Sequence, residues 1–325
     1  MSAVTTEEHT LRLLLRQIQY EADGVVSLLL TDPAGTPLPA WRPGAHLELE
    51  LPSGLVRQYS LCGDPSDRTG YRVAVLREDG GRGGSKEIHT ALPVGTQLTV
   101  RGPRNHFELD ESDAYVFIAG GIGITPILAM VRSLAKDKRW ELHYGGRTLT
   151  SMAFLGQLAE YGGNVEIVPQ DRDGLPDIEG ILAGVKPDAL VYCCGPEPLL
   201  TAVRKRCEEL GIAGRLHIER FSASEEALAE AEAARSGDGF EVELARTRRV
   251  LRVDSGRTVL DTLRDVLPDL PSSCEEGVCG TCEVHVLDGT PEHHDQILSD
   301  AEREEGTSMF ICVSRAKSPR IVLDL

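Results

Sequence analysis

The sequence predicts a multidomain chain: an antiparallel β-barrel, an α/β domain with a parallel sheet, and a C-terminal α+β domain. A length of 325 residues allows two or three domains, each large enough to bury its own core. Two changes of pattern divide the chain. Short apolar runs separated by Pro and Gly give way near residue 108 to strands that alternate with helices, and a stretch rich in Ala and Glu at 222–238 precedes the C-terminal segment.

The first segment, residues 1–107, has the pattern of an antiparallel barrel. Its apolar runs are short and lie at 28–30, 47–51, 71–76 and 97–100. Runs of this length with turn residues between them are typical of strands that pair with their sequence neighbours. The sequence therefore predicts a barrel for this segment.

The α/β pattern begins with a strand at 115–119, a glycine turn and a helix from Pro126 to about Ala135. Thr125 is a suitable N-cap residue, and Pro126 is a suitable first helical residue. Further strands are expected at 141–144, 165–168 and 190–194, with helices between them. Alternation of this kind predicts a parallel sheet covered by helices, with domain boundaries at 108–221.

The stretch at 222–238 reads SASEEALAEAEAARSGD and has no apolar stripe. We expect it to be a linker that could form a solvated helix. The C-terminal domain, 239–325, then contains short strands and one helical stretch at 258–266.

Four cysteines of this last domain are spaced as C-x4-C-x2-C with a fourth far downstream; they are Cys274, Cys279, Cys282 and Cys312. This is the spacing of a plant-type [2Fe-2S] ferredoxin, in which four thiolates complete two tetrahedral iron sites. A zinc site is the alternative, but zinc sites favour paired C-x2-C units, and only Cys279 and Cys282 form one. The spacing therefore predicts an electron carrier.

Composition limits the possible partners. A formal net charge of −17 argues against nucleic acid and against anionic membrane surfaces. No run approaches the roughly 20 apolar residues of a membrane span, and the start, MSAVTTEEHT, does not resemble a signal sequence. We expect a cytoplasmic protein. Acidity is concentrated from residue 222 onward, which indicates either a docking surface for a basic patch or simply a solvated surface.

Two motifs in the barrel segment have groups that suit a flavin. The first is RQYSL, with Arg57, Gln58, Tyr59 and Ser60; the second lies within 80–86 and contains Gly83, Gly84 and Ser85. A tyrosine ring can lie against an isoalloxazine, a serine can bond its polar edge, and an arginine can bind a phosphate. Glycine N–H groups and a hydroxyl suit the phosphate as well. A plain strand and a flexible hairpin loop are the alternatives.

Two motifs in the α/β segment suit a dinucleotide. GGIGITP at 120–126, with Gly121, Gly123 and Thr125, follows a strand and opens a helix, so that its N–H groups can meet a pyrophosphate. It is not the G-x-G-x-x-G fingerprint, and a purely structural turn is the alternative. Cys194-Gly195-Pro196 ends a later strand at the same edge of the sheet, where ligands bind in open α/β folds. Cys194 could line the place where a nicotinamide meets a flavin, or be a core cysteine.

Taken together and in order, six motifs resemble the phthalate dioxygenase reductase family, the reductase components of Rieske-type oxygenases. The matching segments are RQYSL (57–61), GRGGS (81–85), GGIGITP (120–126), CGP (194–196), CEEGVCGTC (274–282) and CVSRA (312–316). The resemblance implies an FMN barrel like that of ferredoxin reductases, an NADH-binding α/β domain and a C-terminal β-grasp domain of the plant-type ferredoxin kind.

The resemblance also implies roles for individual residues. The flavin would be held by Arg57, Tyr59 and Ser60, its phosphate by Gly83, Gly84 and Ser85, and the NADH pyrophosphate by Gly121, Gly123 and Thr125. Cys194, followed by Gly195 and Pro196, would lie near the reacting nicotinamide carbon, and Phe221 would place its ring near the flavin. The preference for FMN over FAD rests on the resemblance alone.

Charge bears on the choice of nucleotide. Asp171 and Asp173 follow the strand at 165–168, and carboxylates there favour the ribose diol of NADH. Arg147 and Arg172 leave NADPH open. His293 and His294 follow a turn and are expected at the surface.

The implied function is to pass electrons from NADH through FMN to a [2Fe-2S] cluster and on to an oxygenase of Rieske type, docked near the acidic ferredoxin domain. Two alternatives remain open. The acceptor could be a cytochrome P450, or the chain could be a redox sensor that binds the cofactors without turnover.

Overall fold

Six strands from the first part of the chain form one antiparallel sheet in the order β4-β3-β6-β1-β2-β5. They are β1 Thr10–Ala22, β2 Val25–Thr31, β3 Ala45–Glu50, β4 Val56–Ser60, β5 Tyr71–Leu76 and β6 Gln97–Asn105. A bridge between Leu61 and Val73 joins the two ends of this order. The sheet thus curls into a barrel, and helix α1, Gly84–Thr90, connects β5 to β6.

Alternating apolar side chains fill the barrel, as the period of a strand requires. Among the buried ones are Leu13, Leu15, Leu28, Leu30, Leu47, Leu49, Val73 and Val75. Burial of one such side chain contributes roughly 1.5–3 kcal/mol. Glu48 is buried as well, and its charge is balanced by Arg101, whose Nη1 lies 2.8 Å from Glu48 Oε1.

The computed structural model describes residues 9–134 and 137–325. These residues fall into two units; the first ends at Arg220 and the second begins at Phe221. None of the helices in these two ranges has the length and apolarity that a membrane span requires.

The first unit also contains a parallel sheet of five strands in the order β11-β10-β7-β8-β9. The strands are β7 Ala114–Gly120, β8 Arg139–Gly146, β9 Val165–Pro169, β10 Ala189–Cys194 and β11 Leu216–Glu219. The helices between them are α2 Ile124–Ser133, α3 Leu155–Leu158, α4 Gln170–Asp173, α5 Ile178–Ala183 and α6 Glu197–Glu209. β7 is buried along its whole length because helices cover both faces of the sheet.

The start of α2 differs from the sequence prediction. A short 3-10 turn at Gly121–Gly123 leads directly into the helix, so Gly123 is the N-cap residue and Thr125 lies inside the first turn. The Thr125 hydroxyl donates a hydrogen bond to Ile122 O at 3.0 Å instead of capping the helix. Pro126 is tolerated there because the first N–H groups of a helix have no intrahelical partner. Ala135, the predicted end of the helix, lies outside the described residues.

The second unit is built on a mixed sheet in the order β13-β12-β18-β14-β16. Its strands are β12 Phe240–Leu244, β13 Arg249–Val253, β14 Glu283–Asp288, β16 Ser308–Phe310 and β18 Arg320–Leu323, and a small pair is formed by β15 Pro291–Glu292 and β17 Arg315–Ala316. Helix α8, Val259–Arg264, packs on the sheet, and α9 is Asp300–Glu305. A capping box between Thr258 and Asp261 starts α8 at the predicted position.

The stretch expected to be a linker contains a helix, α7 Glu225–Arg235. Ser224 caps it by accepting a hydrogen bond from Ala227 N at 3.2 Å. The helix is not solvated all round, because Ala231 is buried in the core of the second unit with Phe240 and Val253. A single alanine makes this contact. The hydrophobic pattern of the sequence therefore did not predict that the helix packs on the unit.

The glycine turn at the end of β7 packs directly against the end of β10. A Cβ on Gly123 would lie 2.2 Å from Cys194 O, and one on Gly195 would lie 3.0 Å from Gly120 Cα. Only glycine permits the two backbones to approach so closely. The motifs GGIG and CGP therefore form one joint at the carboxyl edge of the parallel sheet.

We expect Gly123→Ala to destabilise the first unit by about 1–3 kcal/mol, since the new methyl group would overlap main-chain atoms that cannot rotate away. Urea unfolding of the full chain measures the effect. Gly156→Ala is the matched control: no atom lies within 4 Å of its Cβ position, and its stability should change by no more than about 0.5 kcal/mol. Equal midpoints for the two variants would contradict this description of the joint.

Candidate functional site

Strand β4 carries the RQYS motif and brings it beside the start of α1. Arg57 donates from Nη2 to Arg82 O at 2.6 Å, and a Cβ on Gly84 would lie 2.6 Å from Arg57 Cγ. The guanidinium stem therefore runs over the bare backbone of Gly84. Gly83, which precedes it, has a φ of +86°, a conformation that favours glycine. The two predicted flavin motifs are thus adjacent in space, as a single phosphate site would require.

The neighbouring residues of these motifs differ in their surroundings. Tyr59 pairs with Leu47 of β3 and packs at the margin of the barrel core, and burial raises the pKa of its phenol, so the ring stays neutral. Gln58 pairs with Glu48 on the same strand pair. Ser85 accepts a hydrogen bond from Glu78 N at 3.1 Å, which ties the start of α1 to the chain after β5.

Three side chains meet where the barrel strand β4 reaches the ends of β10 and β11. Ser60 donates a hydrogen bond to Glu219 Oε2 at 3.4 Å, and Cys194 Sγ lies 3.9 Å from the same oxygen. Ser60 and Cys194 are buried, while Glu219 keeps a small accessible part. The register of the parallel pair places Cys194 directly opposite Glu219.

This junction is kept uncharged. Burial raises the pKa of the Glu219 carboxyl to about 8, which the bonds from Ser60 and Cys194 only partly offset. Burial, with the nearby carboxyl of Glu219, raises the pKa of the Cys194 thiol well above its usual value. A neutral thiol and a protonated carboxyl therefore coexist here at neutral pH.

Sequence reasoning did not single out Glu219. The residue lies in the HIERF stretch, at the end of a strand and at the same sheet edge as Cys194. A carboxylate at the carboxyl end of a strand next to a candidate ligand strand was a usable signal. Its contact with Ser60, 159 residues away in the sequence, could not be read locally.

The remaining α/β residues are placed as follows. Gly121 has a φ of +54° and open space at its Cβ position, whereas Thr125 is buried and bonded within the turn. Pro196 caps α6, and its Cδ would lie 2.7 Å from a Cβ on Gly120. Asp171 is exposed on α4, and its N–H donates to Arg147 O at 3.1 Å.

An open cleft of about 520 Å³ lies beside β8 and β9. Its polar lining is mainly acidic, with Glu141, Glu166, Asp173 and Asp177 together with His143. Asp173, one of the two carboxylates expected to favour NADH, lines it, and the other residues predicted to bind a cofactor do not. Negative side chains of this density do not suit the phosphates of a dinucleotide.

The four cysteines of the second unit lie at the loop before β14 and just after β16. Cys279, Cys282 and Cys312 are buried, and Cys274 is partly exposed. They form two pairs: the Cys274 thiol bonds to Cys279, which lowers the pKa of Cys279, and Cys312 bonds to Cys282, which together with burial raises the pKa of Cys312.

The loop geometry fits an iron–sulfur cluster. Glu276 N donates to Cys274 Sγ at 3.3 Å, and the N–H of Gly277 is directed to Cys312. Donors of this kind stabilise thiolate ligands. Within the described ranges no three His, Cys, Asp or Glu side chains converge on one ion. Two thiol pairs, one for each iron, suit a [2Fe-2S] cluster.

The segment after β15 packs against this loop. A Cβ on Gly277, whose φ is +74°, would lie 3.0 Å from Asp295 Cα. The expectation that His293 and His294 are surface residues is wrong: their side chains are only 7% and 14% exposed. The two histidines directly follow β15, which pairs with β17. Burial lowers the pKa of His293. Phe221, at the start of the second unit, is 45% exposed.

Comparisons with known proteins agree with this geometry. A family model described as a 2Fe-2S iron-sulfur cluster binding domain matches residues 242–317. The chain is 43% identical to phenoxybenzoate dioxygenase subunit beta of Ectopseudomonas oleovorans over the full length of both. It also matches the structure of an intact type IV self-sufficient cytochrome P450 monooxygenase, with 42% identity and a TM-score of 0.88. That match covers 97% of this chain and 41% of the P450 chain.

The solved structure of phthalate dioxygenase reductase is described as a modular structure for electron transfer from pyridine nucleotides to [2Fe-2S]. It is 37% identical to this chain with a TM-score of 0.70, and the match covers 97% of this chain and 98% of that one. The predicted fold class and the predicted resemblance are therefore confirmed. On this full-length similarity, this chain belongs to the phthalate dioxygenase reductase family.

Proposed function

We propose that this protein is the reductase component of an oxygenase system, which passes electrons from NADH through FMN to a [2Fe-2S] cluster and then to a Rieske-type oxygenase. The observation that carries the proposal is the meeting of Ser60, Cys194 and Glu219, where the barrel strand of the RQYS motif adjoins the carboxyl edge of the parallel sheet. Its relatives include a dioxygenase subunit and a dioxygenase reductase. The same chain carries the four cluster cysteines.

We assign the boundaries 1–107 to the flavin domain, 108–221 to the NADH domain, 222–238 to the linker and 239–325 to the ferredoxin domain. A bound flavin would accept hydride from NADH and release single electrons, which an iron–sulfur cluster requires. The residues of the chain would bind and orient the flavin and the nucleotide and exclude water from them.

The barrel residues are suited to hold the flavin. Arg57 presents a guanidinium beside Gly83, Gly84 and Ser85, where a phosphate would find charge, N–H groups and a hydroxyl. Tyr59 offers a neutral ring at the margin of the barrel. A site built around one phosphate suits FMN.

The sheet edge is suited to hold the nicotinamide nucleotide. Gly121 leaves open space at the turn that leads into α2, so a pyrophosphate can approach its backbone. Cys194 is a small neutral side chain and would not compete for hydrogen bonds with the ring. Asp171, exposed after β9, would accept the ribose hydroxyls of NADH.

Glu219 adds a proton-holding group that the motifs do not contain. With a pKa of about 8, the carboxyl holds a proton at neutral pH while its Oε2 accepts the hydrogen bond from Ser60 Oγ. Because the protonated carboxyl is neutral, it would place no negative charge beside the proposed hydride-transfer site. We assign it a positioning role in orienting Ser60.

The acceptor is proposed to dock on the ferredoxin domain. From Gly239 onward the chain has 17 acidic and 10 basic residues, a net charge of 10 − 17 = −7. A basic patch on the oxygenase would be attracted to it, and high salt would weaken the association. A cytochrome P450 is the second candidate acceptor, because a P450 monooxygenase structure contains a segment that matches 97% of this chain.

Reconstitution tests the proposal. The purified protein with NADH should reduce an artificial dye continuously and should support turnover by a Rieske oxygenase more strongly than turnover by a P450. Brisk dye reduction together with turnover by the P450 but not by the Rieske oxygenase would show that the acceptor is a P450. Cofactor binding without any NADH consumption would instead indicate a sensor.

Cys279→Ser should abolish electron delivery to the oxygenase and leave reduction of the flavin by NADH largely intact, because only one iron ligand is removed. Stopped-flow absorbance at the flavin and cluster bands separates the two steps. Cys207→Ser is the matched control, at a buried cysteine of α6 outside the cluster, and should deliver electrons at close to the normal rate. Loss of both steps in Cys279→Ser would show that the two modules do not work separately.

Glu219→Gln should make stability less sensitive to pH. Because the pKa of Glu219 is about 8 in the folded chain and 4.5 as the ordinary value, the folded state keeps a proton that the unfolded state loses between these limits. The parent protein therefore loses stability as pH rises from about 4.5 to 8, and the amide variant is spared this loss.

Urea unfolding at pH 6 and pH 8 measures the difference. Allowing for the accessible part of the carboxyl, the parent should lose about 1–2 kcal/mol more than Glu219→Gln over this interval. The same change at Glu160, an exposed residue, should leave the pH dependence of the parent unaltered. An identical loss in the parent and in Glu219→Gln would show that the carboxyl ionises normally.

A further inference from the structure

A hydrogen-bonded link joins the cluster loop to the segment by which the second unit begins. Gln296 lies at its centre. Its backbone N–H donates to Gly277 O at 2.9 Å, and Gly277 stands between the ligand positions Cys274 and Cys279. Its side chain points the other way, to Ser224.

Both polar atoms of the Gln296 side-chain amide form hydrogen bonds with Ser224. Oε1 accepts from Ser224 N at 3.1 Å, and Nε2 donates to Ser224 Oγ at 3.2 Å. Ser224 is buried, and one residue earlier Ala223 N donates to Glu276 Oε2 at 3.4 Å. Residues 223–224 are therefore fastened to both Glu276 and Gln296, that is, to the loop that carries the ligands and to the segment that packs on it.

Both ends of the link are anchored by further contacts. Ser224 caps α7, which is anchored in the core of the second unit by Ala231. On the other side, Asp295 accepts hydrogen bonds from Ile297 N at 3.1 Å and Leu298 N at 2.9 Å and so fixes the turn that contains Gln296. Between these two anchored segments, both polar atoms of the Gln296 amide are hydrogen-bonded to Ser224.

We propose that Gln296 is a positioning residue for electron entry: it holds residues 222–224, the chain that follows directly on Phe221, in a fixed place against the cluster loop. This rests on the proposed function, in which the chain before residue 222 belongs to the module that would deliver the electrons. If the segment were loose, the place where the chain enters the second unit would vary relative to the cysteine loop, and electron transfer is sensitive to such displacement.

Gln296→Leu tests the proposal in the full-length holoprotein. The substitution keeps the backbone bond to Gly277 and removes only the two bonds to Ser224. Hydrogen exchange at Ala223 and Ser224 should become about five- to tenfold faster, while the cluster absorbance spectrum is unchanged. The flavin-to-cluster step after NADH addition should slow by about threefold or more, and hydride transfer to the flavin should not change.

Two further variants sharpen the result. Gln296→Glu keeps an acceptor for Ser224 N and should give an intermediate exchange rate; it also serves if the leucine variant folds poorly. Gln17→Leu, an exposed glutamine of β1, is the matched control and should change neither readout.

The outcomes separate the two proposals. Unchanged exchange at 223–224 in Gln296→Leu would overturn the link itself. Faster exchange with an unchanged flavin-to-cluster rate would overturn its role in electron entry. If the parent protein showed no reduction of the cluster by NADH, the proposed function would fall and with it the role in electron entry, while the exchange data would still decide whether Gln296 holds the segment.

Discussion

The close packing of two backbones at the edge of the parallel sheet is the constraint on which the candidate site depends. Gly123 has no room for a side chain because Cys194 O would lie 2.2 Å from its Cβ. Contact at this distance fixes the end of β7 against the end of β10, and the strand register then sets Glu219 opposite Cys194. Ser60 completes the group from the barrel. Residues from three strands and two sheets thus meet at one point.

Charge is distributed in opposite ways at the surface and at this junction. The chain carries a net charge of −17, yet Glu219 and Cys194 are held neutral by burial. The proposed site would benefit from neutral surroundings, because a fixed negative charge would oppose the arrival of electrons. Acidity is instead concentrated in the second unit, where a partner could be attracted through solvent.

The sequence contained the local features and missed the long-range ones. Glycine turns, strand periodicity and cysteine spacing are properties of neighbouring residues, so the barrel, the parallel sheet and the cluster loop could be predicted. The contact of Glu219 with Ser60 could not be predicted, because the two residues are far apart in the chain. The burial of His293 depends on the β15–β17 pair, and the anchoring of α7 depends on a single alanine. The N-cap residue of α2 is Gly123 and not the predicted Thr125, because a 3-10 turn precedes the helix.

The cluster loop shows why ligand spacing alone does not make an electron-transfer site. Spacing brings the thiols into two pairs, but their positions are fixed by N–H groups of Glu276 and Gly277, and the latter needs a φ of +74°. Gly277 in turn offers its carbonyl to Gln296, whose side chain reaches Ser224. The same glycine therefore connects the metal ligands to the entry of the chain into the unit. Because that connection uses backbone groups on one side and a single amide on the other, the ligand set and its attachment can be altered independently.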